Sequence, residues 1–329
     1  MSETRRSQSA LRSAKFVYRR LRGGGVSWCQ ISMLYVLVVA LLCLHAAAAE
    51  ASLRAPTPLS PYGAQLSRAE LSLQNNASLY LSEIAYCGAW AERAYVGPYT
   101  STFVYNATIE DTDAGLAGFV GTHGALQAIV ITFRGSDNAA NWVTDLDALT
   151  TEYSSCDGCK VHKGFYKAFQ KIEADLREVI KMLLEDHPTY TLLLTGHSYG
   201  AAVSTLAAAD AAHILQLSGV NLVTFGSPRL GNDKFAEWFS YHLSPSVAVQ
   251  RNTHFKDMVV HCPMHERFTH ISGEVYEDDI ETFKVCNGLE DPTCSYQWSV
   301  TSVKDHLVYQ GLPMGDDGCS ITSSPEPRS

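Results

Sequence analysis

The pentapeptide Gly196-His197-Ser198-Tyr199-Gly200 constrains the fold of this chain more than any other segment. Residues 190–195 before it form a short apolar run bounded by Pro188, which is typical of a buried strand. Residues 201–217 after it have helix-forming composition, with apolar side chains at three- and four-residue steps. The sequence therefore predicts a strand that turns sharply into a helix at Ser198.

The pattern G-x-S-x-G between a strand and a helix is the nucleophile elbow of serine hydrolases. The turn forces the serine into a strained backbone conformation, and glycines at 196 and 200 leave room for the neighbouring chain. Ser198 then projects from the turn beside the N–H groups that begin the helix, which face any negative charge that develops there. A tight structural turn without chemistry is the alternative.

The first 49 residues differ in composition from the rest of the chain. Seven basic residues and one acid precede a 12-residue apolar run at 33–44, and four alanines end the segment at Ala49. This order predicts a secretory signal peptide over residues 1–49, with an uncleaved signal anchor as the alternative. Because a spanning helix needs about 20 apolar residues, we expect no stable membrane span after cleavage. Met33 is a second candidate start.

A signal peptide directs the protein outside the cell or into the lumen of the secretory pathway. Without residues 1–49 the net charge becomes −15, instead of −9, which argues against nucleic acid as a partner. Sequons at Asn76 and Asn106 suit a glycoprotein. Seven cysteines follow the leader, so in an oxidising compartment six should pair and one should remain.

Strand and helix patterns alternate along the rest of the chain. We predict a flexible lead-in over 50–68, one domain over 69–320 and a disordered tail over 321–329. Alternation predicts an α/β fold, with a mostly parallel central sheet and helices on both faces. We expect a monomer. The elements within the domain are a helical pattern at 71–95 that is interrupted near Gly88, strands within 102–133, an amphipathic helix at 164–186, and buried strands at 220–225 and 246–251.

A serine nucleophile needs a histidine base, and the histidine needs an acid that fixes its tautomer. In this fold class the chain order is serine, acid, histidine. Asp257 follows the strand at 246–251, where it should face the elbow, and His306 lies far enough along to return on a separate loop. The competitors in sequence are Asp233, Asp278 and Asp279 for the acid, and His261, His265 and His270 for the base.

An oxyanion hole needs two hydrogen-bond donors. The backbone N–H of Tyr199 supplies one, and we expect Ser136, after the strand at 128–133, to supply the other through its backbone and its hydroxyl. The short polar segment that follows carries apolar side chains and is interpreted as a lid, although Trp142 in a core is the alternative. The lid residues are Asn138, Asn141, Trp142, Val143 and Asp145.

Neither a metal nor a cofactor is expected. His261 and His265 have the spacing of two ligands on a helix, but Pro263 lies between them and no third ligand is evident. The C-x-x-C at Cys156 and Cys159 has no partner motif, so a small loop disulfide is favoured over a redox or zinc site.

Six sequence blocks occur in order within residues 80 to 312: 132–136 with Asn141, Trp142 and Asp145; 161–165; 195–200; 223–229 with Gly231 and Asn232; Asp257; and 305–309. Together they resemble the fungal-type triacylglycerol lipases, the class 3 lipase family. The resemblance implies an α/β-hydrolase fold, a Ser198–Asp257–His306 triad, oxyanion donors at Ser136 and Tyr199, and a lid at 138–145. It also implies disulfides Cys87–Cys319, Cys156–Cys159 and Cys286–Cys294, leaving Cys262 free.

Two positions depart from the family pattern, because Tyr199 replaces a usual leucine and Ala201 a common glycine. We expect Tyr199 to narrow the acyl pocket. The resemblance implies a secreted lipase that cleaves carboxylic esters of glycerol through an acyl-enzyme, with lipid at a lipid–water interface as its partner. The alternatives are a phospholipase A1, a soluble carboxylesterase of the feruloyl type, and an inactive lipid-binding protein.

Overall fold

The structure is a computed structural model that describes residues 65–67, 71–93, 95–136, 148–265, 267–279 and 282–319. The predicted signal peptide, the tail and the lid residues from Asn138 to Asp145 lie outside these described ranges. Within the ranges, no helix has both the length and the apolar character of a membrane span.

Continuous apolar segments of the sequence form the centre of a nine-stranded sheet, with the order β1-β11-β10-β9-β8-β7-β4-β3-β2. Two further pairs, β5–β6 and β12–β13, lie outside it. The strands are β1 Gln65–Leu66, β2 Phe103–Asp111, β3 Leu116–His123, β4 Ala128–Phe133, β5 Thr150–Glu152, β6 Lys160–His162, β7 Thr191–His197, β8 Val220–Phe225, β9 Val247–His254, β10 Glu274–Glu277, β11 Phe283–Val285, β12 Val308–Tyr309 and β13 Leu312–Pro313.

The five central strands, β4, β7, β8, β9 and β10, pair in parallel. Every residue of β4 and β8 is buried, as expected of strands that are covered on both faces. Antiparallel strands flank this centre, with β3 and β2 on one side and β11 and β1 on the other. The prediction of a mostly parallel sheet is therefore confirmed.

Helices cover both faces of the sheet, which confirms the second part of that prediction. The residues Ile129 and Ile131 of β4 pack in one core with the central helices of the chain, whereas Val130 packs in another core with the first helix. Alternate strand residues point to opposite faces, so the two cores lie on opposite sides. The helices are α1 Leu73–Ile84, α2 Lys163–Asp186, α3 Tyr199–His213, α4 Asp233–Glu237, which continues as a π-helix over Trp238–His242, and α5 Val303–His306.

The structure differs from the sequence predictions mainly in short elements. The helical pattern at 71–95 is helical only to Ile84, and Gly88 follows with a φ of +62°. Residues 65 and 66 lie within the predicted flexible lead-in, yet they form an edge strand paired with β11. Short edge strands carry too little periodic pattern to be recognised from sequence.

Asn76 is a poor glycosylation site in this structure, contrary to the sequence prediction. It lies within α1, is 9% exposed, and its amide donates hydrogen bonds to the carbonyl oxygens of Leu71 and Ser72. A glycan at this amide would displace both bonds and would not fit against the core. Asn106 is exposed at the irregularity in β2, so it is retained as the candidate.

Three disulfides join the pairs that the family resemblance implies. Cys87 bonds to Cys319 across a sequence separation of 232, and the local pairs are Cys156–Cys159 and Cys286–Cys294. Cys262 is the remaining cysteine of the described residues and is half-buried. The long-range disulfide ties the segment after α1 to the last described residue of the chain.

Glu83 is a fully buried acid beside the long-range disulfide. It packs against Gly318 near the end of the described chain. A Cβ at position 318 would come within 2.0 Å of Glu83 Oε1, so only glycine fits there. Burial raises the pKa of Glu83 to about 8. The nearby charge of Asp316 also raises this pKa, whereas the charge of Arg93 partly offsets the increase. Glu83 is therefore neutral in the folded protein at neutral pH.

We expect Glu83→Gln to stabilise the protein progressively as the pH rises. The folded state keeps the Glu83 proton up to about pH 8, whereas the unfolded chain releases it near 4.5, so ionisation opposes folding between these values. The variant should gain about 4 kcal/mol of unfolding free energy over wild type between pH 5 and pH 9. Denaturant unfolding at several pH values measures this, with Glu178→Gln on the exposed face of α2 as control. A pH-independent difference would contradict a buried neutral acid.

Candidate active site

The strand-to-helix turn at Ser198 has the predicted backbone strain. β7 ends at His197 and α3 begins at Tyr199, and Ser198 between them has φ 59° and ψ −126°. A Cβ at position 196 would lie 2.6 Å from the backbone carbon of Gly200, and one at position 200 would lie 2.1 Å from the oxygen of Phe133. No side chain fits at either position, so both glycines are required by close packing against β4 and α3.

The Ser198 hydroxyl is buried and has no hydrogen-bond partner among the described residues. Its backbone N–H donates to the carbonyl oxygen of Phe225 at 2.9 Å, which fixes the turn against the end of β8. Because a buried hydroxyl normally forms a hydrogen bond, an unpaired one in a strained turn is typical of a functional position.

Asp257 and His306 form a fully buried hydrogen-bonded pair. His306 Nδ1 lies 2.8 Å from Asp257 Oδ2, and neither side chain is exposed. The backbone N–H of Val259 donates to Oδ1 at 2.7 Å, and the hydroxyl of Tyr309 donates to Oδ2. Asp257 follows β9, and His306 ends α5, so the pairing joins two distant segments of the chain.

The electrostatics of this pair favour a negatively charged Asp257. Burial by itself would raise the pKa of Asp257, but the charge and hydrogen bond of His306, together with the donors Tyr309 and Val259, lower it below its usual value. The Asp257 charge and its hydrogen bond, in turn, add to burial in raising the pKa of Tyr309 far above its usual value. The phenol therefore stays protonated and remains a donor to the carboxylate.

The His306 ring lies beside the Ser198 turn. It stacks on the ring of His197, the residue before the serine, with 4.3 Å between ring centroids. A Cβ at Gly226, directly after β8, would come within 2.8 Å of His306 Cε1. His306 Nε2 is buried and, like the Ser198 hydroxyl, lacks a hydrogen-bond partner in the described part of the chain.

The competing acids and histidines do not replace Asp257 or His306 in this side-chain pair. Asp233 and Asp279 are exposed, and Asp278 accepts a hydrogen bond from its own loop. His261 is bonded to the carbonyl oxygens of Asp257 and Ser295, and His270 is buried with its Nε2 bonded to Val260. His265 is exposed, 3.8 Å from Glu290. Two acid–cysteine clusters occur in the described residues, but their cysteines are in disulfides and offer no thiolate to a metal.

A pocket of about 210 Å³ lies against the site. It brings Ser136, after β4, together with His197 and Tyr86. The side chain of Tyr199 lies elsewhere, with its ring packed on Phe165 and its hydroxyl bonded to Ala114. The expected narrowing of an acyl pocket by Tyr199 therefore stays a prediction. The remaining lining residues are Leu307, Met314, Gly315, Asp316 and Asp317.

Sequence reasoning did not assign roles to three residues of this site. Tyr309 lies within a family block but carries no pattern that indicates a bond to Asp257. His197 lies inside the elbow pentapeptide, where only the serine and glycines have a general meaning. Tyr86 lies more than one hundred positions before the nucleophile in sequence, so only the folded chain relates it to His197, whose Nδ1 is 2.6 Å from its hydroxyl.

Comparison with known proteins identifies relatives of both the sequence and the fold. The sequence pattern of class 3 lipases matches residues 130–267. A lipase of Rhizomucor miehei is 34% identical over 220 residues, which cover 64% of this chain and 58% of that protein. A secreted mono- and diacylglycerol lipase of Fusarium solani is 31% identical over 213 residues, which cover 61% of this chain and 62% of that protein. The chain thus spans about three fifths of the length of these relatives.

Solved structures agree with the sequence relatives. A lipase from Rhizopus microsporus var. chinensis superposes with a TM-score of 0.70 at 26% identity, covering 80% of this chain and 95% of that one. A triacylglycerol lipase whose catalytic centre is a serine protease triad gives a TM-score of 0.70 at 28% identity, covering 77% and 99%. This chain has the α/β-hydrolase fold. Over residues 130–267 its sequence is similar to that of the class 3 lipases.

Proposed function

We propose that this protein is a secreted lipase that hydrolyses carboxylic esters of glycerol, including triacylglycerol. The observation that carries the proposal is the buried Asp257–His306 pair beside the strained Ser198 turn. The two atoms that would exchange a proton in this reaction, Ser198 Oγ and His306 Nε2, are buried, and neither has a hydrogen-bond partner within the described residues.

In the proposed mechanism, His306 Nε2 accepts the proton of the Ser198 hydroxyl as its oxygen attacks the ester carbonyl. Asp257 accepts a hydrogen bond from the Nδ1–H of His306. This bond fixes the tautomer of the His306 ring and stabilises the imidazolium that forms. The imidazolium then protonates the departing glycerol oxygen and leaves the acyl group on Ser198. A water molecule, deprotonated by His306, releases the fatty acid and restores the serine.

The oxyanion that forms on the ester carbonyl needs donors that are already in place. We assign one to the backbone N–H of Tyr199, the first residue of α3. We assign the second to Ser136, which shares the pocket with His197. The helix N-terminus adds a favourable field for negative charge.

Ser198→Ala should abolish ester hydrolysis and leave the fold intact, because it removes only the attacking hydroxyl. Loss of a single triad member commonly lowers turnover by about 10⁴-fold or more. Hydrolysis of p-nitrophenyl butyrate measures the effect, with Ser204→Ala on the same helix as a control for substitution of a buried serine. A folded Ser198→Ala protein with more than a tenth of wild-type turnover would refute the assignment.

The described pocket supports glycerides over anionic phospholipids as substrates. Two carboxylates, Asp316 and Asp317, line it and are exposed, and its described lining includes no lysine or arginine. Each unit charge about 8 Å from a substrate phosphate in water contributes roughly 0.5 kcal/mol of repulsion. Together, the two carboxylates should lower the rate of hydrolysis of a phosphodiester-containing lipid about fivefold relative to that of a neutral ester.

The double variant Asp316→Asn with Asp317→Asn should raise hydrolysis of phosphatidylglycerol about fivefold relative to diacylglycerol, both presented in neutral detergent micelles. The gain should shrink in high salt, because exposed charges are screened. Asp175→Asn with Glu178→Gln, on the exposed face of α2, changes the net charge equally and is the control. A wild-type preference for phosphatidylglycerol would instead support a phospholipase.

The segment after Ser136 is proposed as a lid on the strength of its sequence alone. In a closed state its apolar side chains, Trp142 and Val143, would cover the surroundings of Ser198. A lipid surface that buries about 200 Å² of this apolar area would favour the open state by about 5 kcal/mol, enough to invert a two-state population. The segment directly follows Ser136, so its movement would also affect one oxyanion donor.

Activity on tributyrin should therefore rise sharply once the substrate exceeds its solubility. Trp142→Ala should weaken this rise more than it slows hydrolysis of a dissolved short ester, which provides the internal control. Hyperbolic kinetics through the solubility limit, unchanged in the variant, would argue for a soluble esterase.

Secretion, a monomeric state and a glycan at Asn106 complete the proposal. The apolar run at 33–44 and the three disulfides support passage through an oxidising compartment. The Fusarium solani relative is a secreted enzyme.

A further inference from the structure

A second histidine, His197, is held directly against His306. It is 1% exposed, and the two imidazole rings stack with an interplanar angle of 28° and 4.3 Å between centroids. His197 Nε2 lies 2.9 Å from the backbone carbonyl oxygen of His306. His197 Nδ1 lies 2.6 Å from the hydroxyl of Tyr86. The ring of His197 therefore contacts both the side chain and the main chain of the proposed base.

The hydrogen bonds determine where the protons of this network lie. A carbonyl oxygen only accepts, so His197 Nε2 carries a proton. Burial, followed by the charge of His306, holds the pKa of His197 well below its usual value, against the opposing influence of Asp257. The ring is therefore neutral, its Nδ1 is an acceptor, and the Tyr86 hydroxyl is the donor. The titratable groups around it are Tyr86, His306, Asp257 and Tyr309, whose ring is 5.6 Å away.

A neutral ring in this position suits a base that becomes charged during the reaction. A second imidazolium at stacking distance would repel the protonated His306, whereas a neutral imidazole presents its π-face. Because the Tyr86 donor occupies Nδ1, it disfavours protonation of the ring at that atom. Tyr86 thereby maintains both the tautomer and the neutral state of His197.

Tyr86 also contacts the loop that carries Ser136. A Cβ at position 135 would lie 1.9 Å from the Tyr86 hydroxyl oxygen and 2.9 Å from the carbonyl oxygen of His197, so glycine is required there. Tyr86 and Ser136 line the same pocket. The tyrosine therefore fixes the distance between the loop after β4 and the stacked histidines.

We propose that Tyr86 and His197 are positioning residues of the hydrolytic reaction. They hold the ring and main chain of His306 in place beside Ser198, and they keep the neutral ring of His197 stacked on the ring of His306. This inference rests on the proposed ester hydrolysis. The pair contacts His306 and the pocket wall, so its removal should lower kcat with little change in KM.

Three variants separate the contributions. Tyr86→Phe removes one hydroxyl and should lower kcat about tenfold. His197→Gln retains a donor toward the His306 carbonyl but loses the stack, and His197→Phe retains a ring but loses the donor. Each of these should lower kcat more than Tyr86→Phe does, with KM for p-nitrophenyl butyrate within twofold of wild type.

The chain offers close controls. His123 is an equally buried histidine bonded to the carbonyl oxygen of Tyr99 and the hydroxyl of Thr102, and Tyr95 is a tyrosine that donates to the carbonyl oxygen of Trp90. His123→Gln and Tyr95→Phe should leave the kcat of the folded protein within twofold of wild type. Wild-type kcat in folded Tyr86→Phe, an equal loss in the controls, or a rise in KM at constant kcat would each overturn the proposal.

A second measurement does not depend on ester turnover. Ring ¹⁵N shifts, assigned through the His197→Gln spectrum, should show His197 as the neutral tautomer protonated at Nε2 from pH 5 to pH 8, and Tyr86→Phe should disturb this state. A charged His197 at pH 7 would overturn the inference even in an active enzyme. A wild-type protein that shows the neutral tautomer but hydrolyses no ester would instead refute the proposed function.

Discussion

The burial of the Asp257 carboxylate is the constraint on which the rest of the site depends. A charge in a protein interior is costly unless partners compensate for it, and this one has three: His306, Tyr309 and the backbone of Val259. Two of the partners come from the segment that forms α5 and β12, about fifty residues further along. The fold thus returns this segment to the edge of the sheet where β9 ends, because the carboxylate cannot be buried without it.

Close backbone packing sets the position of the nucleophile relative to that pair. Gly196 and Gly200 allow the turn to contact the end of β4, while the N–H of Ser198 bonds to the end of β8. Gly226 leaves room for the His306 ring directly after β8. At these three positions the absence of a side chain allows the close contacts that place the Ser198 turn and the His306 ring side by side.

The sequence predicted the residues whose roles depend on local pattern. The buried strands at β4 and β8, the amphipathic α2 and the elbow all have patterns that extend over several consecutive residues, and each appears close to its expected bounds. Asp257 and His306 were found because chain order restricts the choice once Ser198 is known. Tyr86, His197 and Tyr309 were not assigned, since their partners are distant in sequence and their hydrogen bonds leave no periodic trace. Asn76 was misassigned because a sequon does not reveal burial.

The long-range disulfide explains how residues from the two ends of the domain come to share one pocket. Tyr86 immediately precedes Cys87, while Asp316 and Asp317 shortly precede Cys319, and all three line the same wall. Bringing such distant segments together on folding costs loop-closure entropy. A disulfide lowers this cost, because it already restricts the unfolded chain. The buried Glu83 lies beside the same link, and its neutrality avoids a third negative charge next to two exposed carboxylates. The covalent bond adds to an apolar contact, because Leu312 and Met314 of the same segment pack in one core with Ile84 of α1.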